Sequence, residues 1–478
     1  MSAYEIVMGL EVHVELSTDS KIFCGCSTAF GGEPNTHVCE VCAGLPGTLP
    51  TLNERVVEYA VRTGLALACE ITRFTKFDRK NYFYPDLPKA YQVSQLYAPI
   101  CQNGEVEITV NGEKKKIRIH EIHMEEDAGK LVHDTESGGT MVDYNRCGIP
   151  LVEIVSEPDF RSADEVVAYL EKLKAVLQYL GVSDCKMEEG SMRADVNLSV
   201  RRVGESEFGV RTEMKNMASL KAIARAIEGE SKRQISRIEK GGVIIQETRR
   251  WDDEKSESYA MRSKENAQDY KYFPEPDLSP IQISDEYIQK EKDKLPELPD
   301  AKKDRYRKEY GLPEYDSDIL TGSKYLVDIF EKTVAVCGNP KAASNWIMTD
   351  LLKLVKNTQI ELEAMRFSKE SLGQIIRMVE DGKINRNTGR KILSLVFSED
   401  IDPVLYVEKN GLAQVSDTKE IEPVIRAVLE KNEKAVSEYC GGSEKSFQFL
   451  VGQSMGALRG KADPHVVREV LEKLLKEE

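Results

Sequence analysis

The first alternation along the chain is GLEVHVELS, residues 9–17. Leu10, Val12, Val14 and Leu16 take one face, Glu11, His13 and Glu15 the other. A period of two predicts a half-buried strand. MRADVNLSV repeats the pattern, with Ala194, Val196, Leu198 and Val200 opposite Arg193, Asp195, Asn197 and Ser199. VRTEMKN sets Arg211, Glu213 and Lys215 against Val210, Thr212 and Met214. Turn signals such as NGE at 111–113 separate runs of this kind. Two stretches change to helical spacing. Ser162 and Glu165 form a capping box before Val166, Val167, Leu170, Leu173, Leu177 and Leu180, and Gly181 stops the run. The second runs from Ser219 to Lys240 through Leu220, Ile223, Ile227, Ile235 and Ile238, and ends at Gly241-Gly242.

Strands with a few inserted helices predict an α+β unit around an antiparallel sheet. KEKDKLPELPDAKKDR, 290–305, reads as its boundary, and the pattern beyond it is almost wholly helical. EDIDP at 399–403 breaks that run. The chain closes on DPHVVREVLEKLLKEE, with Val466, Val467, Val470, Leu471, Leu474 and Leu475 on one stripe. The expected division is a cradle-forming unit at 1–295, a helical unit at 296–405 and a small helical tail at 406–478. With roughly 150 residues per domain, a chain of 478 residues suits three units.

Composition narrows the class. No run of 18 apolar residues exists, so no transmembrane helix is expected, and MSAYEIVMGL lacks the charged and apolar regions of a signal peptide. Ten cysteines in a long chain without an export signal read as reduced thiols or metal ligands, which suggests the cytoplasm. The net charge of −15 argues against bulk neutralisation of nucleic-acid phosphates, while leaving room for local basic contacts. The tail is nearly neutral by comparison, with 11 basic and 13 acidic side chains over 406–478.

Candidate chemistry gathers in a few places. CGCSTAFGGEPNTHVCEVC pairs Cys24 and Cys26 with Cys39 and Cys42, the spacing of a closed, structural Cys₄ zinc site, with His37 as a possible substitute ligand. HMEEDAGK supplies His123, Glu125, Glu126 and Asp127. PLVEIVSEPD buries Glu153 within an apolar run, which is costly unless that carboxylate is paired or ligates a cation. A solvated sheet face would account for any one polar strand face. Several acid-lined faces together read as a cleft for Mg²⁺ and a polyphosphate. KFDRKNYFYPDLPKAYQ, 76–92, interleaves Lys76, Arg79, Lys80 and Lys89 with Phe77, Tyr82, Phe83, Tyr84 and Tyr91, as a single-stranded RNA end requires; core packing is the alternative. MGALRGKADP sets Arg459 and Lys461 before a helix, suited to a phosphate contact or to plain capping. There is no G-x-x-x-x-G-K-[ST], which excludes a P-loop ATPase.

In these motifs the chain resembles the B subunit of the tRNA-dependent aspartyl/glutamyl-tRNA amidotransferases, over essentially its whole length. GLEVHVEL, KFDRKNYFYPDLPKAYQ, HMEEDAGK, PLVEIVSEPD, MEEGSMRADVN, QETRRW, YKYFPEPDL and LVGQSMGALRGKADP occur in that family's order. The resemblance implies a catalytic cradle, a helical domain and a tail touching tRNA. It implies magnesium ligands at His13, Glu126 and Glu153, further active-site positions at Glu11, Lys80, Asp195 and Glu213, and a structural zinc on the cysteine quartet. The implied reaction is ATP-dependent phosphorylation of the side-chain carboxylate of Glu-tRNA(Gln) or Asp-tRNA(Asn), followed by amidation. The ammonia would come from a glutaminase (amidase) partner, the family's A subunit, with a small C subunit completing a heterotrimer. A rival reading is a noncatalytic zinc-bearing tRNA-binding scaffold, for which acid-lined faces are the wrong equipment.

Overall fold

The computed structural model describes residues 3–133, 138–263, 270–360, 362, 365, 367–413, 418–458, 462 and 464–477. They form two compact units, Met1–Pro299 and Asp300–Glu478. The first is α+β, built on a nine-stranded sheet. Its strands in chain order are β1 (Tyr4–Glu15), β2 (Glu70–Ile71), β3 (Cys101–Val110), β4 (Glu113–Glu126), β5 (Pro150–Ser156), β6 (Met192–Arg202), β7 (Thr212–Lys215), β8 (Glu247–Asp252) and β9 (Glu257–Ser263). Their spatial order is β9-β8-β7-β6-β1-β5-β4-β3-β2. Neighbours run antiparallel, with the single exception of the parallel pair β7–β8. Asn111 and Gly112, with φ of 52° and 82°, supply the two left-handed residues of a tight hairpin turn between β3 and β4.

Alternation along the central strands sorts their side chains cleanly. Leu10, Val12 and Val14 of β1 share a buried face with Ile154, Val196, Leu198, Ile122 and Met124. Helices α1 (Glu54–Ala66), α2 (Ala163–Leu180) and α3 (Leu220–Glu239) cover that face through Val57, Leu170, Leu173, Ile223 and Ile227. Burial of each such side chain contributes ~1.5–3 kcal/mol, so the register of the sheet is strongly fixed. The Ser162 hydroxyl accepts the Glu165 N–H at 3.2 Å. The Glu165 carboxylate accepts the Arg161 N–H at 2.6 Å, so the return half of the box closes one residue early. Gly181, at φ 68°, takes the left-handed cap that ends α2. Ser219 caps α3 in the same manner, accepting the Ala222 N–H at 3.1 Å.

The aromatic-basic stretch contains no helix. Asp78–Asn81 and Tyr91–Ser94 pair as strands, and Lys271–Pro274 adds a third on the outer side of Asp78–Asn81.

The second unit is helical, with two apolar clusters. One gathers Leu320, Phe330, Trp346, Ile375, Leu393 and Val407. The other gathers Ile421, Ile425, Leu450, Val467, Leu471 and Leu474. Helix Arg386–Glu399 stops at Asp400, and Asp402 caps the next helix, Pro403–Lys409, by accepting the N–H groups of Val404 and Leu405. On the last helix Val467, Val470, Leu471, Leu474 and Leu475 are buried and Val466 partly so. Among the described residues no helix is long and apolar enough to cross a membrane.

Candidate functional site

Pairing in the large sheet brings its polar faces together. His13 on β1 lies opposite Glu153 of β5 on one side and Arg193 of β6 on the other. Glu153 in turn lies opposite His123 of β4, Glu11 opposite Asp195, and Asn197 opposite Glu213. Side chains two apart on one strand share a face, so Glu125 joins His123 on this surface.

Two clusters result. In the first, donor atoms of His13, Glu125 and Glu153 all lie within 4.8 Å of one another. His13 Nε2 is 3.6 Å from Glu153 Oε2, and His123 Nε2 is 2.7 Å from the same oxygen. Burial alone would raise the Glu153 pKa. The charges of His13, His123 and Lys80 override it and hold this carboxyl well below the usual carboxylate range. Burial likewise opposes charge on His123, yet Glu153, Glu125 and Glu121 push its pKa up to about 9. Glu125 accepts the Ser94 hydroxyl and, at 3.1 Å, the Gln92 side-chain amide. Two carboxylates and an imidazole on rigid strands can hold a divalent cation, and the carboxylate oxygens suit Mg²⁺.

In the second cluster, Glu11, Asp195 and Glu213 converge to within 4.8 Å. Lys215 already supplies a cation there, pairing with Asp195 and, at 3.0 Å, with Glu213. The Asn197 amide donates to Glu11 at 2.9 Å and the Thr248 hydroxyl to Glu213 at 2.7 Å. Burial, then repulsion from Glu153 and Glu213, raises the Glu11 pKa, which links the two clusters electrostatically.

Lys80 comes from the small sheet, where it pairs with Tyr272 across the strands. Its Nζ lies 5.1 Å from the centre of the Tyr270 ring and 5.9 Å from that of Tyr82, in cation–π range. Burial disfavours its charge, but Glu125 leads the interactions that keep it protonated. Tyr82 from the interleaved stretch and Tyr270 from beyond it therefore flank a lysine whose charge couples to the first cluster.

Of the residues expected to form the magnesium site, His13 and Glu153 meet and Glu126 does not join them. Glu126 has the opposite parity on β4, where Lys89 Nζ binds its two carboxylate oxygens at 2.5 and 2.7 Å. Glu125 stands in its place. The signal in the sequence was the i, i+2 spacing of Glu125 from His123; HMEEDAGK presents two adjacent acids, and only strand parity distinguishes them. Sequence reasoning placed His123 among the cleft residues without giving it a role, and missed the pairing role of Lys215. Arg459 and Lys461 lie outside the described residues.

The four cysteine sulfurs also lie within 4.8 Å of one another. Cys42 Sγ is 4.0 Å from both Cys26 Sγ and Cys39 Sγ, close to the about 3.8 Å edge of a tetrahedral zinc tetrathiolate. The pairs sit on loops, and the segment between them docks on the chain before β5. Asn35 donates to the Val142 carbonyl at 3.0 Å, and the His37 N–H donates to Asn145 Oδ1 at 2.8 Å. His37 is not part of the sulfur cluster.

Residues 6–289 match the family described as the GatB/GatE catalytic domain, and residues 328–475 match the GatB domain. A protein of Lachnoclostridium phytofermentans, named as the B subunit of an aspartyl/glutamyl-tRNA(Asn/Gln) amidotransferase, is 61% identical, covering 99% of both chains. Proteins of the same name from Agathobacter rectalis and Lachnospira eligens are 58% and 57% identical; the matches cover 99% and 100% of this chain and 100% of each relative. The chain belongs to the family of aspartyl/glutamyl-tRNA(Asn/Gln) amidotransferase B subunits.

Proposed function

We propose that this chain activates the side-chain carboxylate of Glu esterified to tRNA(Gln), or Asp esterified to tRNA(Asn), with ATP, and that ammonia then displaces phosphate to leave the amide. The observation that carries this is the convergence of His13, Glu125 and Glu153 with the charge of Lys80, which Tyr82 and Tyr270 flank. A carboxylate is a poor acyl donor because its leaving group would be oxide. Transfer of the γ-phosphoryl group supplies a good one. His13, Glu125 and Glu153 would hold Mg²⁺, which offsets charge on the transferring phosphoryl group when bound. Lys80 offers an ammonium to a phosphate oxygen. Glu11, Asp195 and Glu213 form an acidic wall suited to the α-ammonium of an esterified amino acid, with Lys215 holding two of its acids in place.

The same reading assigns a structural zinc to Cys24, Cys26, Cys39 and Cys42. It assigns a glutaminase partner, the A subunit, that releases ammonia from glutamine, and a small C subunit, in a cytoplasmic heterotrimer. The division at 1–295, 296–405 and 406–478 belongs to it too, with the tail, through Arg459 and Lys461, contacting tRNA. The test is ATP hydrolysis by the assembled complex with and without misacylated tRNA. Hydrolysis that rises with misacylated tRNA supports the reading. tRNA binding without ATP consumption would leave the noncatalytic scaffold.

A further inference from the structure

Lys21 is fully buried, at 0% exposure. Its Nζ lies 3.6 Å from Cys42 Sγ and donates to the Tyr144 carbonyl at 3.3 Å. Among the described residues no carboxylate pairs with it. An ammonium taken wholly out of water needs a counter-charge, and a neutral thiol is not one.

The surroundings point the same way. The Lys21 N–H donates to the Cys26 carbonyl at 3.0 Å. One residue therefore ties the Cys24–Cys26 arm to the Cys39–Cys42 arm, by backbone on one side and by ammonium on the other. The aliphatic stem runs past Gly148, where an added Cβ would come within 3.5 Å of Lys21 Cδ and 3.6 Å of Cys42 Cβ. The nearby Lys89 lines the same pocket of about 130 Å³, but its ammonium is bound to Glu126. Four thiolates on a divalent ion form a dianion. Within that pocket Lys21 is the cation aimed at the sulfurs.

We propose that Lys21 is the built-in counter-charge of the tetrathiolate centre and sets how tightly that centre keeps its ion. The proposal rests on the zinc reading above. Its test uses the assembled holoenzyme and the variants Lys21→Met, Lys21→Gln and Lys21→Arg. The half-life of zinc transfer to a chromogenic chelator is measured, together with the thiolate-to-metal absorption of the cobalt(II)-substituted proteins. Loss of a charge-assisted hydrogen bond should make Lys21→Met and Lys21→Gln release zinc about ten- to a hundredfold faster. Lys21→Arg, which keeps the charge, should stay near wild type with a shifted cobalt spectrum. A Gln variant as retentive as wild type would overturn the proposal. If Lys21→Met does not fold, Lys21→Gln against Lys21→Arg decides alone. A wild-type protein without zinc would overturn the zinc reading itself, whereas zinc present with indifferent variants removes only the role of Lys21.

Discussion

Lys89 holds Glu126 by both carboxylate oxygens, at 2.5 and 2.7 Å, and the Val93 N–H donates to one of them at 2.9 Å. This anchors Glu126 on the other side of β4 from Glu125, so adjacent acids have separate tasks. His13→Ala, Glu125→Gln and Glu153→Gln should each lower tRNA-stimulated ATP hydrolysis by about a thousandfold or more, since lost charge stabilisation of a phosphoryl transfer costs several kcal/mol. Glu126→Gln should leave that step near wild type. Its effect is on the Lys89 pair, with a stability loss of up to about 3–5 kcal/mol that urea unfolding would register. Equal loss of ATP hydrolysis in the Glu125 and Glu126 variants would contradict the assignment.

Metal analysis should find one zinc per chain, absent when Cys39 and Cys42 are both changed to Ser. Structural zinc contributes on the order of 10 kcal/mol to the small unit it closes. Hydrogen exchange in the double variant should rise over residues 20–50 and at Val142–Asn145, where the cysteine loop docks. Exchange confined to the four cysteines would argue against a structural role.

Much of this site can be read from spacing, and the remainder depends on pairing partners. The period-two face of Glu11, His13 and Glu15 states which side chains share a surface; it does not state that Glu153 and Asp195 are their neighbours. That needed the register of β1 against β5 and β6. Glu125 and Glu126 show the limit most plainly, because both lie in one motif and only strand parity separates them. The capped ends of α2 and α3 at Ser162, Gly181 and Ser219 were legible because their signals are local. Lys21 was not: an isolated lysine before CGC looks like surface until its sulfur partner, 21 residues on, is in place.

The tail has its own apolar cluster around Ile421, Leu450 and Leu471, whereas Val407, Tyr406 and Leu412, inside the proposed 406–478 span, pack in the preceding one. A deletion that removes 414–478 therefore spares the first helical cluster. It should raise the KM for misacylated tRNA far more than it lowers kcat, because contacts made equally in ground and transition states act on KM. Arg459→Ala with Lys461→Ala should reproduce part of the rise and flatten the salt dependence by roughly one unit of slope per phosphate contact. An unchanged KM would assign the tail to assembly instead.

The remaining thiols should differ sharply in alkylation. Burial pushes Cys69, Cys147 and Cys185 up to about 12, and Cys101 well above the usual thiol value. A raised pKa means less thiolate at any given pH, and the thiolate is the nucleophile. At pH 8, mass mapping after a short iodoacetamide pulse should therefore find the exposed Cys440 labelled first and those four last. Early labelling of Cys101 or Cys185 would contradict the packing around them.

The central claim is that a carboxylate oxygen of the misacylated residue passes into phosphate at the His13–Glu125–Glu153 cluster. The direct measurement uses misacylated tRNA whose Glu or Asp side-chain carboxylate carries ¹⁸O, turned over by the complete complex with ATP and glutamine, with mass analysis of the phosphate released. The account predicts one labelled oxygen in each phosphate formed with the amide, and neither label transfer nor amide with Glu153→Gln. Amide formed alongside unlabelled phosphate would contradict it.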